Sequence, residues 1–507
     1  MDPRGHRACA DLFSFGVSDQ PGNRCGRRSF EPGDPSNRWR NGMTATNKPK
    51  RPSRKFTFRT LLVLAVLGLG GAAVMLGLAG TASEEVMAAA PVVKVPTGKK
   101  SFPAAVGYGA TSVGGRGGRI IYVTTLADSG AGSYRACVTA SGPRVCVFRV
   151  SGVIRFTQRP PWIMTPYLTI AGQTAPGSGI TLAHGGGRNG LTPLVIKNTH
   201  DVVVRGIRVR NDRVGGNREA EDSITIEKSS RVVIDHVSAS WARDELINGY
   251  DDNDEITISN SIFAWGIPKH DKCALLASDP VDKQKLSFIG NLCAHNGDRN
   301  PDINFPKGSC VEVINNVLYN AASEFAEVWE SYGGSPVSIV GNTFIAGTNT
   351  TTQSRGVARE TQGSTGTASI YLWDNAFDGN FRHVSPEVVP AQIQQAPCPL
   401  TVQPMGAAAA YAAVLARAGA FPRDGIDKAA VADVKARSGR IGSPAPAIPA
   451  QSSGTAYTDN DKDGMDDAWE RANGLDPTRN DAWGDANGNG IENFEEFLTS
   501  REKGFGL

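Results

Sequence analysis

From residue 200 to 380 the chain alternates β-branched or aromatic residues with polar ones in short bursts, each closed by a polar turn. The bursts are VVVRGIRV (202–209), VVIDHVSA (232–239), ITISNSIF (256–263), LSFIGNLC (286–293), VEVINNVL (311–318), VSIVGNTF (337–344) and IYLWDNAF (370–377). A period of two makes each burst a strand. Their third residues, Val204, Ile234, Ile258, Phe288, Val313, Ile339 and Leu372, recur at steps of 30, 24, 30, 25, 26 and 33 residues. A repeat of that length with variable inserts predicts a solenoid whose coils bury one another. A leucine-rich repeat lacks its leucine spacing here, and a propeller blade needs roughly 40–45 residues. Three positions beyond the marker stand Asn291, Asn316, Asn342 and Asn375, which in stacked coils form an inward-facing amide ladder. RIIYVTTL (119–126), VCVFRVSGVIRF (145–156) and YLTIAGQTAPGSGITL (167–182) read as earlier coils. The predicted fold is all-β, a single-stranded right-handed parallel β-helix over residues 97–437.

Two later segments depart from this pattern. Residues 406–434 turn Ala-rich with helical composition and are expected to pack on the solenoid as a C-terminal helical cap. Residues 438–456 are Pro/Ser/Ala-rich and read as a linker. Beyond them, DNDKDGMDDAWE (459–470) and DANGNGIENFEE (485–496) each place oxygen donors at positions 1, 3, 5 and 12 of a loop with Gly at position 6. That donor set suits a hard cation, Ca²⁺, held by Asp459, Asp461, Asp463 and Glu470, and by Asp485, Asn487, Asn489 and Glu496. Residues 457–507 resemble the EF-hand-like thrombospondin type 3 or dockerin-like modules of secreted bacterial enzymes, which implies a structural or attachment role.

Charge is distributed unevenly. The 507 residues carry a formal net charge of +3, but residues 1–59 hold 13 Lys/Arg against 5 Asp/Glu, and residues 457–507 hold 5 against 13. The long middle is close to neutral, with no clustered basic face for a nucleic acid. The 58 glycines suit a turn-rich β architecture. An uncharged run, Thr60–Ser83, follows Lys48, Lys50, Arg51, Arg54, Lys55 and Arg59. That arrangement reads as a signal peptide, with an uncleaved membrane anchor as the alternative. Met43 offers a start in the usual place for such a signal, so residues 1–42 read as a mis-assigned start. Export to the periplasm or medium permits disulfides among Cys137, Cys146, Cys273, Cys293, Cys310 and Cys398. Cys137 with Cys146 is the pair expected first. A monomer is expected.

Several segments, in order, resemble the pectate lyase family, polysaccharide lyase family 1. They are FPAAVGYGATSVGGRGG (102–118), LTIAGQTAPGSGITL (168–182), VVIDHVSASWARDE (232–245), HDKCALLAS (270–278) and AHNGDRNP (294–301). The resemblance implies calcium-assisted β-elimination on polygalacturonate: a base removes the C5 proton beside a carboxylate, and the C4–O bond breaks to leave an unsaturated end. Carried over by motif, Asp222, Asp244 or Glu245, and Asn248 fall at calcium-ligand positions, Asn248 replacing a carboxylate. Lys272 matches a lysine that holds a substrate carboxylate, and Arg299 matches the family's base. Two readings of Arg299 stay open, a pKa depressed by neighbouring cations or a fixed cation beside hydroxide, and both imply an alkaline optimum. Where the family carries a second arginine this chain has RNPDINF, with Asp302 and Asn304 in its place, and Lys307 is the candidate to compensate. Asp235 and His236 read as interior hydrogen-bonding residues, and GGRGG (114–118) is no phosphate loop because no GK[ST] follows. The alternatives are a pectin lyase acting on methyl-esterified substrate and a non-catalytic polysaccharide-binding β-helix or adhesin.

Overall fold

The computed structural model describes residues 88–184, 191–211, 221–442 and 447–507, all within the compact unit Ser83–Leu507. The basic segment and the apolar run 60–83 lie outside the described residues. Among those described, no helix is long and apolar enough to cross a membrane. Three sheets of ten, nine and nine strands run the length of this unit, and every strand pairs in parallel with the one a coil away. The chain is a parallel β-helix.

The sequence markers fall in register. Val204 faces Ile234, Ile234 faces Ile258, Ile258 faces Phe288, Phe288 faces Val313, Val313 faces Ile339, and Ile339 faces Leu372 on the first sheet. Ile121, Cys146 and Ile170 extend the same row upstream. The row points inward, into one continuous apolar core shared by all three sheets. Two residues beyond each marker the coil turns a corner, at Gly206, His236, Asn260, Gly290, Asn315, Gly341 and Asp374, with φ between +47° and +68°. That left-handed conformation is why the corners are Gly, Asn, Asp or His, the residues that adopt it at least cost.

The asparagine ladder stands just past those corners. Asn316 Nδ2 donates to Asn342 Oδ1 at 2.9 Å and Asn342 Nδ2 to Asn375 Oδ1 at 3.0 Å, while Asn291 N donates to Asn316 Oδ1 at 2.8 Å. Each amide also reaches a marker carbonyl one coil before it, Asn291 to Ile258 and Asn316 to Phe288, both at 2.9 Å. The ladder satisfies buried backbone at the points where the strands end.

The outer faces are covered unequally. Residues 102–118 run as a strap across the first sheet, with Tyr108, Gly109, Val113 and Gly115 donating backbone N–H groups to Ser287, Thr257, Asp201 and Thr169. The glycines there serve close approach: a Cβ on Gly115 would stand 2.0 Å from the Arg144 carbonyl oxygen. The expected helical cap is present as Ala407–Arg417 and Gly425–Ala436, whose Val414, Leu415, Val431 and Val434 cover the third sheet at Ile262, Leu292 and Val317. The acidic module packs on the first coils of the first sheet. The linker segment touches the solenoid: Ser178 N donates to Ser452 O at 3.1 Å and Ser452 N to Ser178 Oγ at 2.9 Å. Among the described residues no apolar cluster covers the outer face of the second sheet.

The expected bond joins Cys137 to Cys146, and the remaining cysteines pair as Cys273–Cys293 and Cys310–Cys398. Asp235 and His236 are interior hydrogen-bonding residues, with Ser259 Oγ and Asn260 Nδ2 donating to Asp235 at 2.7 and 2.9 Å. Replacing Asn316 by Ala leaves the Asn291 N–H and the Phe288 carbonyl without that partner in a dry interior, so denaturant unfolding is expected to show a loss of about 2–4 kcal/mol.

Candidate active site on the second sheet

The second sheet carries the charged residues that the sequence singled out for the site. Asp222 precedes the strand Ile224–Glu227, and Glu245 opens the next, Glu245–Tyr250. Lys272 opens Lys272–Ser278, Arg299 precedes Asp302–Ile303, and Glu324 opens Glu324–Trp329. These five are separated by 23, 27, 27 and 25 residues, one coil each. Glu245 faces Lys272, and Asp302 faces Glu327. Stacking alone therefore brings the residues assigned to calcium, to substrate and to the base into one row.

Asp222 is held by a set of donors. Thr225 Oγ1 donates to its Oδ2 at 2.7 Å, Asn248 Nδ2 to the same oxygen at 3.1 Å, and Glu245 N to Oδ1 at 3.3 Å. One oxygen from each of Asp222, Asp244 and Glu245 lies within 4.8 Å of the others, and Asn248 Oδ1 is buried without a hydrogen-bond partner. Both members of the 244/245 pair thus face the cluster. Asp244 sits at its edge, 3.3 Å from His270 Nδ1, and Glu245 at its floor, ion-paired to the Arg299 guanidinium. Three carboxylates and an orphaned amide oxygen form the hard-oxygen set that Ca²⁺ selects, so the residues present fit that ion.

Burial, then the neighbouring Glu245, pushes Asp222 up to about 7. Burial, then Asp222, pushes Asp244 up to about 6. Glu245 rises to about 7 through burial, with Arg299 opposing and Asp244 assisting. For Arg299, burial acts to lower the pKa, but the carboxylates of Glu245, Asp302, Glu327 and Asp298 outweigh it and the net direction is up. As it stands the guanidinium is protonated, contrary to the depressed value expected of a base.

The departure from the family's second arginine takes structural form here. Asp302 is buried, 3.6 Å from Arg299 Nε, with its Oδ1 lacking a hydrogen-bond partner, and burial drives its pKa well above the ordinary range. Asn304 Oδ1 is likewise buried without a partner. Lys307 is exposed in the turn leading to Cys310, and no described contact joins it to the cluster. Sequence reasoning missed Asp298, Glu324 and Glu327, which form a second acidic group beside the first. Asp298 pairs with Lys272 Nζ, Glu324 with Arg355, and Glu327 Oε1 accepts from Arg299 N at 3.0 Å. Adding one coil period to Arg299 and Asp302 reaches Glu324 and Glu327, the signal that finds them.

In the acidic module, Asp459, Asp461 and Asp463 converge within 4.8 Å, as do Asp463, Glu470 and Asp481. Asp481 lies outside either loop motif. The second loop closes on itself: Asn487 Nδ2 donates to Glu496 Oε1 at 2.9 Å, Asn489 Nδ2 to the same oxygen at 2.6 Å, and Gly490 N to Asp485 Oδ2 at 2.7 Å.

No family model matches the chain. A "Probable pectate lyase C" of Aspergillus fumigatus is 34% identical over 403 residues, covering 75% of this chain and 89% of its own length. The protein of that name from Emericella nidulans is 39% identical over 269 residues, 52% of this chain and 57% of its own. A solved structure, the cedar pollen allergen jun a 1, is 20% identical, covers 62% of this chain and 93% of its own, and gives a TM-score of 0.47. Fold and site define a parallel β-helix with a charged groove on one outer face. By its similarity to a curated relative over most of both chains, this protein belongs to the pectate lyase family.

Titration of ¹³C-labelled carboxyls in EDTA is expected to show Asp222 and Glu245 gaining charge near pH 7 and Asp244 near pH 6. Asp222→Asn is expected to lower the Asp244 midpoint, since Asp222 is the charge that raises it.

Proposed function

We propose that this chain is an exported pectate lyase that cleaves polygalacturonate by calcium-assisted β-elimination, leaving 4,5-unsaturated galacturonate ends. The observation that carries the reading is the row of Asp222, Glu245, Lys272 and Arg299 on an outer face that no apolar cluster covers among the described residues. Asp222, Asp244, Glu245 and Asn248 would hold the ion. Bound there, Ca²⁺ supplies Lewis-acid neutralisation of the substrate carboxylate beside the C5 proton.

The chain's own groups divide the rest of the work. Lys272 is assigned to a substrate carboxylate, and its present partner Asp298 keeps it oriented toward the groove until substrate exchanges for it. Arg299 is assigned to the C5 proton. Acting as the base requires that the carboxylates now holding it protonated be engaged elsewhere, and Glu245 is the one that faces both Arg299 and the acidic triad. Among the described residues of the site, the carboxyls of Asp222, Asp244, Glu245, Asp298, Glu324 and Glu327 outnumber the cations Lys272, Arg299 and Arg355, which disfavours a polyanion unless cations are added. Asp302, standing where the family has a cation, sharpens that need. Calcium is therefore a condition of binding as well as of chemistry in this chain. Export accords with the basic and apolar N-terminus and with three disulfides.

The test incubates the full chain with polygalacturonate at alkaline pH, with and without EDTA, and follows absorbance of the unsaturated product. Calcium-dependent product is expected, and Arg299→Ala is expected to cut kcat by roughly 10²–10⁴-fold. The calcium concentration giving half-maximal rate is expected to rise as pH falls through 7 and then 6, because protons compete for Asp222, Glu245 and Asp244. Product from methyl-esterified pectin alone, without calcium, would overturn the assignment in favour of a pectin lyase. Retained binding with no product under any condition would make the chain a non-catalytic polysaccharide binder.

A further inference from the structure

The acidic module poses an electrostatic problem that the groove does not. Glu470 is 0% exposed and neither of its carboxylate oxygens has a hydrogen-bond partner. It faces Asp463, also 0% exposed, and Asp481, with one oxygen of each within 4.8 Å of the others. Asp461 Oδ2 is a further buried oxygen without a partner. Cations touch only the margins of this assembly. Arg149 Nη1 is 3.9 Å from Asp459, and Arg479 Nη2 is 3.0 Å from Asp481 on the solvent side. A fully buried carboxylate among carboxylates, with no donor of its own, is destabilising unless a cation completes the site.

The same loop is wedged against the solenoid. Tyr122 OH, on the strand Arg119–Val123, donates to Asp459 Oδ2. Gly464, at φ +93°, leaves no room for a side chain: its Cβ would lie 2.8 Å from Phe494 and 3.3 Å from Ile120. Met465 enters an apolar cluster with Val145, Val147 and Ala171 of the first sheet and with Phe494, Phe497 and Leu498 of the helix Asn493–Gly504. Residues following Asp481 continue the contact, as Trp483 Nε1 donates to Gly118 O at 3.0 Å. The helix then ion-pairs buried Arg205 through Glu502 and Glu495.

We propose that Asp459, Asp461, Asp463, Glu470 and Asp481 form a divalent-cation site, completed by a residue outside the loop motif, that clamps the C-terminal module onto the flank of the β-helix. The ion is structural and separate from the groove. It joins the loop that touches Tyr122 and Ile120 to the segment that carries Trp483 and the terminal helix, so the module is a brace of the catalytic body and not a freely tethered attachment domain. The second loop, exposed and with two amides where the first has carboxylates, is the weaker of the two by charge count.

The test is thermal unfolding of the full chain in EDTA and across a calcium titration. For the native chain the Tm is expected to rise by equal increments for each tenfold of free calcium above the dissociation constant. Glu470→Gln carries the sharper signature. In EDTA its Tm is expected to equal or exceed the native value, because an uncompensated buried charge has been removed; in calcium it is expected to fall below. Asp481→Asn, outside the motif, is expected to lose most of the calcium increment with its circular dichroism unchanged. Asp222→Asn, in the groove, is expected to keep the part of the increment that Glu470→Gln and Asp481→Asn remove. Protease cleavage within residues 447–456 is expected in EDTA and suppressed by calcium. A calcium increment that survives both Glu470→Gln and Asp481→Asn but vanishes in Asp222→Asn would overturn the proposal while leaving the groove assignment intact. A Tm indifferent to calcium, or a Glu470→Gln deficit of equal size in EDTA and calcium, would overturn it as well.

Discussion

The register between successive coils governs everything else in this protein. Parallel strands roughly 4.8 Å apart oblige each side chain to confront the one a coil before it. Inside the solenoid the rule is easily met, because β-branched and aromatic residues stack into a common core and the asparagines pass hydrogen bonds from coil to coil. On the outer face of the second sheet the same rule stacks charges. Asp222, Glu245 and Lys272 stand at equivalent positions of consecutive coils, and the following coil sets Asp298 against Lys272 and reaches Glu245 through Arg299. Burial first, and like-charge neighbours second, lift the carboxyl pKa values of Asp222, Asp244 and Glu245 in that row.

Coverage decides which face works. The strap 102–118 and the C-terminal module lie on the first sheet, and two helices lie on the third. Both coverings bury apolar residues, Ile262 and Leu292 under the helices and Val145 under the module, together with sealed ion pairs such as Arg210–Asp427 and Arg205–Glu502. The outward row of the second sheet mixes apolar Val195 and Leu275 with Asn248, Asp302 and Glu327, and among the described residues no apolar cluster covers it. Within that row Asp302 stands where the resemblance leads one to expect a second arginine. It places a buried carboxylate against Arg299 and shifts the burden of attracting a polyanion onto added cations.

Two acidic assemblies on one chain are built on different terms. In the groove each carboxylate cluster is interleaved with Lys272, Arg299 or Arg355, so the site holds its shape through ion pairs that a substrate can exchange. In the C-terminal module Asp463 and Glu470 are fully buried, Asp459, Asp461 and Asp481 half-buried, and the nearest cations are peripheral. An exchangeable, half-open set suits catalysis; a sealed set suits a permanent tie.

The amino-acid sequence by itself determined the coil. The alternation, the marker spacing, the Gly/Asn/Asp/His corners and the asparagine ladder are all local patterns, because each strand and corner is chosen by a few adjacent residues. Asp222, Lys272 and Arg299 were legible through motif resemblance, and Cys137–Cys146 through proximity along the chain. The tertiary structure alone decided what depends on summing variable inserts. Glu324 and Glu327 join the groove only after the coil lengths fix the stacking, and Asp481 reaches Glu470 only once the module has folded back on itself. It also set the direction in which the Arg299 pKa moves, since burial lowers it and the surrounding carboxylates raise it, and no local pattern encodes that balance.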